Sequence, residues 1–286
     1  MLFRAFLRLK AIFDSKKNFL AIKWRKQMAE NKHYVVQEVA GICADEAAKY
    51  NVVPYIHPED FIFHFLIENP CFNNDRDAAV KYYFQDGFKS AQKLRGLLSD
   101  FCGSSKSRIQ LLEFASGYGC VTRHFSNVFP EVDVTSCDIH VKAVNFIKDV
   151  IGKSAILSDA VPEKLITPEK YDVIFALSFF SHMPRVTWGR WLNVLMSKLK
   201  GGGCLLFTTH GMESRKYFNY PQVSSEGFWF WNQSEQKDLD TNEYGQTIVL
   251  PKFVLGQISD ENETRIIFFR EAYWWDHQDI YILKRV

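Results

Sequence analysis

The chain has 286 residues, 47% of them hydrophobic and 24% charged, with 35 lysines and arginines against 33 aspartates and glutamates. That length and apolar content can bury one elaborated domain or two small ones, which excludes a disordered, fibrous or disulfide-stapled chain. The formal net charge of +2 argues against nucleic acid as a partner, and no run approaches the length of apolar sequence that a membrane span needs.

The charge is unevenly placed. Residues 1–32 hold nine basic and two acidic residues, net +7, which leaves 33–286 at net −5. The same stretch carries Leu2, Phe3, Phe6, Leu7, Leu9, Ile12 and Phe13 between its arginines and lysines. Arg4, Arg8 and Lys10 interrupt any secretory apolar core. A helix of this kind commonly packs its apolar stripe on its own protein. The +7 excess also suits an anionic lipid surface, so peripheral contact with the inner face of a membrane is expected. Six cysteines (Cys43, Cys71, Cys102, Cys120, Cys137, Cys204) lie far apart with no C-x-x-C pair. Buried free thiols in the reducing cytoplasm are expected, with no metal site.

Residues 33–104 read as a helical extension. Val35, Val36, Val39, Ile42 and Cys43 recur at helical spacing. A longer helix follows the capping pair Asn74-Asp75, with the stripe Val80, Phe84, Phe88, Ala91, Leu94 and Leu98, and ends at Gly103-Ser104-Ser105. The texture then changes. Ile109–Phe114, Val132–Cys137, Ala155–Leu157, Tyr171–Leu177 and Gly203–Thr209 read as five strands. Between them, Val121, Phe125 and Val128 step as a helix, and Trp188, Trp191, Leu192, Leu195 and Leu199 form a helical stripe between Pro184 and Gly201. Strands alternating with helices predict a mostly parallel sheet covered on both faces. An aromatic-rich insertion, 212–247, and a short helix after Pro251 follow. The last two strands, Thr264–Arg270 and Gln278–Lys284, are too close in sequence for a parallel crossover and should pair as an antiparallel hairpin.

The chemistry is carried by Leu112-Glu113-Phe114-Ala115-Ser116-Gly117-Tyr118-Gly119. This is a strand, a glycine turn and an expected helix N-terminus, where backbone can approach a ligand closely and the helix dipole favours an anionic group. Asp138 ends the second strand 21 residues after Gly117, where a carboxylate can take ribose hydroxyls. Asp159 follows the third strand after another 21 residues, where a base edge could be read. NAD and S-adenosylmethionine both fit a glycine turn followed by an acid. The NAD fingerprint wants a third small residue where this chain has Thr122, and it does not call for Glu113.

With these residues in view, the chain resembles the class I S-adenosylmethionine-dependent methyltransferases. Glu113-x-x-x-Gly117-x-Gly119 is similar to their first motif, Asp138 to their ribose-binding acid and Ser158-Asp159-Ala160 to their adenine-side motif. Tyr171–Ile174 followed by Phe179–Pro184, and Lys198–Gly203, are similar to the segments around their fourth and fifth strands. The resemblance implies a Rossmann-like α/β fold with a seven-stranded sheet in the order 3-2-1-4-5-7-6. The domain would span 105–286, carrying the insertion 212–247, behind the basic segment 1–32 and the helical extension or lid 33–104. It implies S-adenosylmethionine as cofactor and S-adenosylhomocysteine as product. The donor would lie against Glu113, Ala115, Gly117, Gly119, Asp138, Ile139, Asp159, Ala160 and Leu177, with Tyr83 closing over it. The segments Asp75–Tyr83, Glu243–Thr247 and His277–Tyr281 resemble a subgroup found with bacterial surface-polysaccharide genes, which implies a small-molecule or glycan acceptor, a sugar or lipid-linked saccharide hydroxyl. The alternatives are an NAD-dependent oxidoreductase and a non-catalytic module that binds the donor.

Two histidines fall just past strand ends and are the candidate catalytic bases, His182 and His210. Each could instead cap a helix or bond to backbone. His140, beside Asp138, is expected to flank the donor. Phe228–Trp231 and Trp274-Trp275 are expected to cover the site and core, or to stack on sugar rings.

Overall fold

A computed structural model describes residues 30–102, 108–234, 236, 238–258 and 264–286. The basic segment expected to touch a membrane lies, up to residue 29, outside the described residues. Among those described, no helix is long and apolar enough to cross a membrane.

The amino-terminal part is helical. Residues 30–38 (α1) lead into α2 (Ala40–Tyr50), α3 (Phe61–Ile67) and the long α4 (Arg76–Leu97). Aspartates start the last two: Asp60 accepts from Phe63 N, and Asp75 accepts from Ala78 N, each at 3.0 Å. Val80, Phe84, Ala91 and Leu94 on α4 are fully buried, as the stripe predicts. Burial of each large apolar side chain contributes about 1.5–3 kcal/mol. Gly87 lets α4 pack against the turn after β1, because a Cβ there would stand 2.2 Å from the Cys120 carbonyl oxygen.

The α/β part follows in chain order: β1 (Ile109–Phe114), α5 (Phe125–Val128), β2 (Val132–Asp138), α6 (Val141–Phe146), β3 (Ser154–Leu157), β4 (Tyr171–Ala176), α7 (Arg185–Ser197) and β5 (Leu199–His210). Then come β6 (Phe228–Trp231), β7 (Gln246–Val249), α8 (Pro251–Gly256), β8 (Thr264–Trp274) and β9 (Gln278–Arg285). Strands β3-β2-β1-β4-β5 run parallel. β9 pairs antiparallel with β5 from Cys204↔Lys284 to His210↔Gln278, and β8 pairs with β9. With β8 and β9 as the sixth and seventh strands, this is the expected Rossmann-like order 3-2-1-4-5-7-6 with a closing antiparallel hairpin. The sheet buries alternate residues on its two faces. Leu112, Phe114, Ile174, Leu205 and Phe207 pack with Trp188, Trp191 and Leu195 of α7. Leu111, Val173, Phe175 and Leu206 pack with Leu94 of α4 and Phe125 of α5.

Four local expectations need correction. Leu199, placed in the helical stripe, begins β5 and pairs with Tyr171, because α7 ends at Ser197 and Lys198 caps it. The insertion forms its own hairpin, β6–β7, which joins the carboxyl end of β5, beyond the last β4 pair, through His210↔Ile248. The turn between the last strands is shorter than Glu271–His277, since β8 continues through an irregularity to Trp274, with Ala272 at φ 49°. Of the six cysteines, all free, Cys43, Cys137 and Cys204 are buried as expected, whereas Cys102 and Cys120 are half-buried and Cys71 is exposed.

Candidate functional site

The end of β1 and the end of β2 are joined into one structure. Past Phe114, Ala115 takes a left-handed conformation (φ 58°), and Ser116 N donates to Cys137 O at 3.1 Å. Gly117 N then donates to Asp138 Oδ2 at 2.8 Å. The two glycines are required for different reasons. Gly117 (φ 55°) has nothing within 4 Å of where a Cβ would be, so one side of the turn is open space, a candidate crevice at the strand tips. At Gly119 (φ 79°) a Cβ would stand 2.5 Å from Ile151 Cδ1, so the turn there is packed tight.

The expected helix dipole behind this turn is not there to any useful degree. Thr122–His124 form a single 3-10 turn and α5 has only four residues, too short to present an aligned N-terminus. Backbone N–H groups and open space remain as what the turn offers an anionic or zwitterionic ligand.

Asp138 is 6% exposed. Its Oδ1 accepts from His140 N at 2.9 Å and lies 2.8 Å from His140 Nδ1, while Oδ2 accepts from Gly117 N. A carboxylate offers about four acceptor positions. One remains, on Oδ2, beside the open face of Gly117, where a ribose hydroxyl fits. Ile139 and Leu157 are apolar yet 38% and 49% exposed at the ends of β2 and β3, a surface suited to a purine face. Asp159 caps its own turn by accepting from Val161 N at 2.8 Å, beside the exposed Ala160. Leu177, half-buried, ends the wall on the β4 side.

Glu113 lies beneath this crevice, 4% exposed. Its Oε2 accepts from Thr122 Oγ1 at 2.5 Å and from Ser136 Oγ at 3.2 Å. Burial outweighs those hydrogen bonds and pushes its carboxyl up to about 7. Thr122, the residue that departs from the dinucleotide fingerprint, is therefore a partner of Glu113. This is a donor set with two carboxylates, an open glycine and exposed apolar walls, and it fits the adenosine and amino groups of S-adenosylmethionine.

Tyr83 does not reach the crevice. It is fully buried among the helices; its hydroxyl donates to Asp60 Oδ2 at 2.7 Å and accepts from Arg123 Nη2 at 3.2 Å. With no exposed surface and its hydroxyl engaged, it holds the helical cap to the glycine turn. The cap contributes other rings instead. His57 stacks on Tyr118 at 4.5 Å, and Phe61 lies 5.6 Å from His140.

At the tips of β4 and β5 the two candidate bases come together, with ring centroids 6.2 Å apart. His182 Nδ1 lies 2.8 Å from Gly245 O, and its ring stacks on Tyr244 at 4.4 Å. Gly245 N donates back to His182 O at 2.9 Å, so the start of β7 is stitched to the loop after β4. His210 is buried, and desolvation together with neighbouring His182 and His277 holds its imidazole well below its usual range, hence neutral. Asp279, fully buried opposite Thr209, is raised to about 7 by desolvation. Among the described residues, no three His, Cys, Asp or Glu side chains converge to hold a metal ion.

Asp238, His277 and Asp279 carry no site role in the sequence, although His277–Tyr281 bears the resemblance to polysaccharide-linked methyltransferases. The first two sit in or beside irregular segments with no periodic signal, and an acid inside a strand pattern carries no mark of its partner. A separate cleft of about 400 Å³ lies at the opposite, amino-terminal edge of the strands, lined by Ile109, Val132, Val173 and Gly201–Gly203.

Residues 112–205 match the methyltransferase-domain family. The chain is 32% identical over 149 residues to a malonyl-[acyl-carrier protein] O-methyltransferase of Bacillus anthracis, covering 48% of this chain and 51% of that protein. It is 26% identical over 136 residues to the protein of the same name from Acetivibrio thermocellus, covering 46% and 47%. The chain thus spans about half the length of the curated relatives it matches. Its fold is similar to that of an S-adenosylmethionine-dependent methyltransferase from Clostridium acetobutylicum, with 12% identity, a TM-score of 0.50, and coverage of 75% of this chain and 99% of that one. Sheet order, glycine turn and domain match agree: residues 112–205 are similar to a methyltransferase domain, and the chain has the fold of the compared methyltransferase structure.

Proposed function

We propose that this protein transfers a methyl group from S-adenosylmethionine to a hydroxyl of a saccharide or lipid-linked saccharide. The observation that carries the donor half is the Gly117–Asp138 unit, with open space on one side of the glycine and one unfilled acceptor position on the acid. When bound, the donor supplies a methyl group already activated on a sulfonium. The chain's own residues have three tasks: hold the donor, hold the acceptor in line, and remove a proton.

Asp138 holds the ribose, Ile139 and Leu157 flank the base with Asp159 and Ala160, and Glu113 balances the donor's amino group from below. His182 is the base. Giving its Nδ1–H to Gly245 O leaves the basic lone pair on Nε2. His210, neutral beside it, keeps a second positive charge out of the site. The insertion lends an acceptor surface: Met212, Tyr217, Tyr220 and Trp231 are exposed there, and Tyr217 lies 4.9 Å from His277. Such faces suit sugar rings. The resemblance to polysaccharide-linked methyltransferases supports the same acceptor. A carboxyl acceptor carried on a protein is the second reading, supported by the names of the two relatives, malonyl-[acyl-carrier protein] O-methyltransferases.

The test is turnover of labelled donor with glycan, lipid-linked glycan and acyl-carrier-protein-linked acids. Incorporation into a glycan fraction, with His182→Ala lowering kcat about 10²–10⁴-fold and leaving donor KM within about twofold, is expected. Turnover only with carrier-linked acids would replace this reading with the second.

A further inference from the structure

Two separate excursions of the chain meet at His140. Its Nδ1 faces Asp138 Oδ1 at 2.8 Å, and its Nε2 is ion-paired with Asp238 Oδ2, in the insertion, at 3.1 Å. Phe61 of α3 lies against the same ring, and Lys32 Nζ stands 5.1 Å from the centroid of Phe61. Next to it, Lys142 is ion-paired with Glu59 of the cap. One imidazole therefore bridges the acid expected to grip the ribose and an acid on the segment expected to present the acceptor.

Asp238 is half-exposed, and its carboxylate turns toward His140. Its backbone belongs to an irregular stretch between β6 and β7, well away from the hairpin pairs Phe228↔Val249 to Trp231↔Gln246. An unconstrained surface aspartate at this spot would gain as much from water. Between two carboxylates the ring is favoured as an imidazolium: desolvation opposes the charge, and the hydrogen bond to Asp138 with the fields of Asp138 and Asp238 overcomes it, raising His140 to about 10.

We propose that His140 and Asp238 are positioning residues that couple the donor crevice to the insertion: the imidazolium fixes the Asp138 carboxylate for ribose, and Asp238 ties that arrangement to the acceptor-bearing segment. Neither residue is a catalytic base. The linkage is reciprocal, so donor binding orders the insertion and the insertion tightens donor binding. This rests on the donor reading above.

The experiment titrates the full chain and its variants with S-adenosylhomocysteine by calorimetry, and follows hydrogen exchange of 238–247 with and without that ligand. Asp238→Ala is expected to weaken binding about five- to tenfold and to abolish the ligand-induced protection of 238–247. Asp238→Glu is expected to restore part of both. Glu226→Gln removes another insertion ion pair, to Arg185, away from His140, and should match the wild type. In turnover, Asp238→Ala should raise donor KM more than it lowers kcat. Wild-type binding with an Asp238→Ala variant of equal affinity and equal protection overturns the coupling alone. A wild-type chain that takes up no S-adenosylhomocysteine overturns the donor reading and this proposal with it.

Discussion

Gly117 N donates to Asp138 Oδ2 at 2.8 Å. Through that one bond the turn after β1 and the acid after β2 form a single edge of the crevice, and the two residues cannot be perturbed independently. Asp138→Ala should therefore loosen the turn as well as remove the ribose partner.

The two glycines of the turn should separate stability from binding. Both have positive φ, so a side chain costs about 1–2 kcal/mol at each. At Gly119 the added methyl also collides with Ile151, whereas at Gly117 it enters open space. Gly119→Ala is expected to lose at least about 1 kcal/mol more in urea unfolding. Gly117→Ala is expected to be the milder in stability and the more severe in S-adenosylhomocysteine affinity. Equal effects of both on both measurements would show that the open side of Gly117 does not face the ligand.

Glu113 should trade stability for function. Its carboxyl is raised from 4.5 to about 7 by burial, so the native state holds its proton more tightly than the unfolded chain. Stability is then highest below about pH 4.5 and falls as pH rises towards 7. Glu113→Gln removes that loss while keeping an acceptor for Thr122. Without ligand it should be more stable than the wild type at pH 8, by about 1–3 kcal/mol, with the difference vanishing near pH 4.5. Donor affinity should fall. Chemical unfolding at the two pH values measures the first and calorimetry the second.

His140 gives the opposite sign. A raised histidine contributes stability that is full below its unfolded value of 6.5 and is lost as pH rises through about 10. The carboxylates facing it are Asp138 and Asp238. The Tm difference between wild type and His140→Gln should be largest near pH 6 and should close towards pH 10. A difference independent of pH would mean that the ring matters only for packing.

Arg123 should hold the cap to the turn. Its buried guanidinium donates to Gly119 O at 3.1 Å, Val53 O at 2.9 Å, Tyr55 O at 3.2 Å and Tyr83 Oη at 3.2 Å. Arg123→Leu leaves those acceptors unpaired in the interior, at a cost of about 3 kcal/mol or more. Limited proteolysis should then cut within 51–60 faster than in the wild type.

The sheet was readable in the sequence because its signals are local. Strands β1 and β4 are mostly apolar runs bounded by turn residues, and a glycine turn or an acid at a strand end marks itself. The short helix after the turn was over-read, because Val121, Phe125 and Val128 keep helical spacing while the backbone between them is a 3-10 turn. Tyr83, which the resemblance places over the donor, is instead buried, because its hydroxyl partner, Asp60, lies on another element that no spacing within α4 reveals. The contact of Asp238 with His140 and the docking of the β6–β7 hairpin on β5 join residues far apart in sequence through one pair each. No composition or period encodes such pairs.

The most direct measurement is calorimetric titration of the purified chain with S-adenosylhomocysteine and, in parallel, with NAD, each repeated on Asp138→Ala. The account predicts one S-adenosylhomocysteine site per chain that is lost in the variant, and no uptake of NAD. Uptake of NAD, or S-adenosylhomocysteine binding that survives the loss of the Asp138 carboxylate, would contradict it.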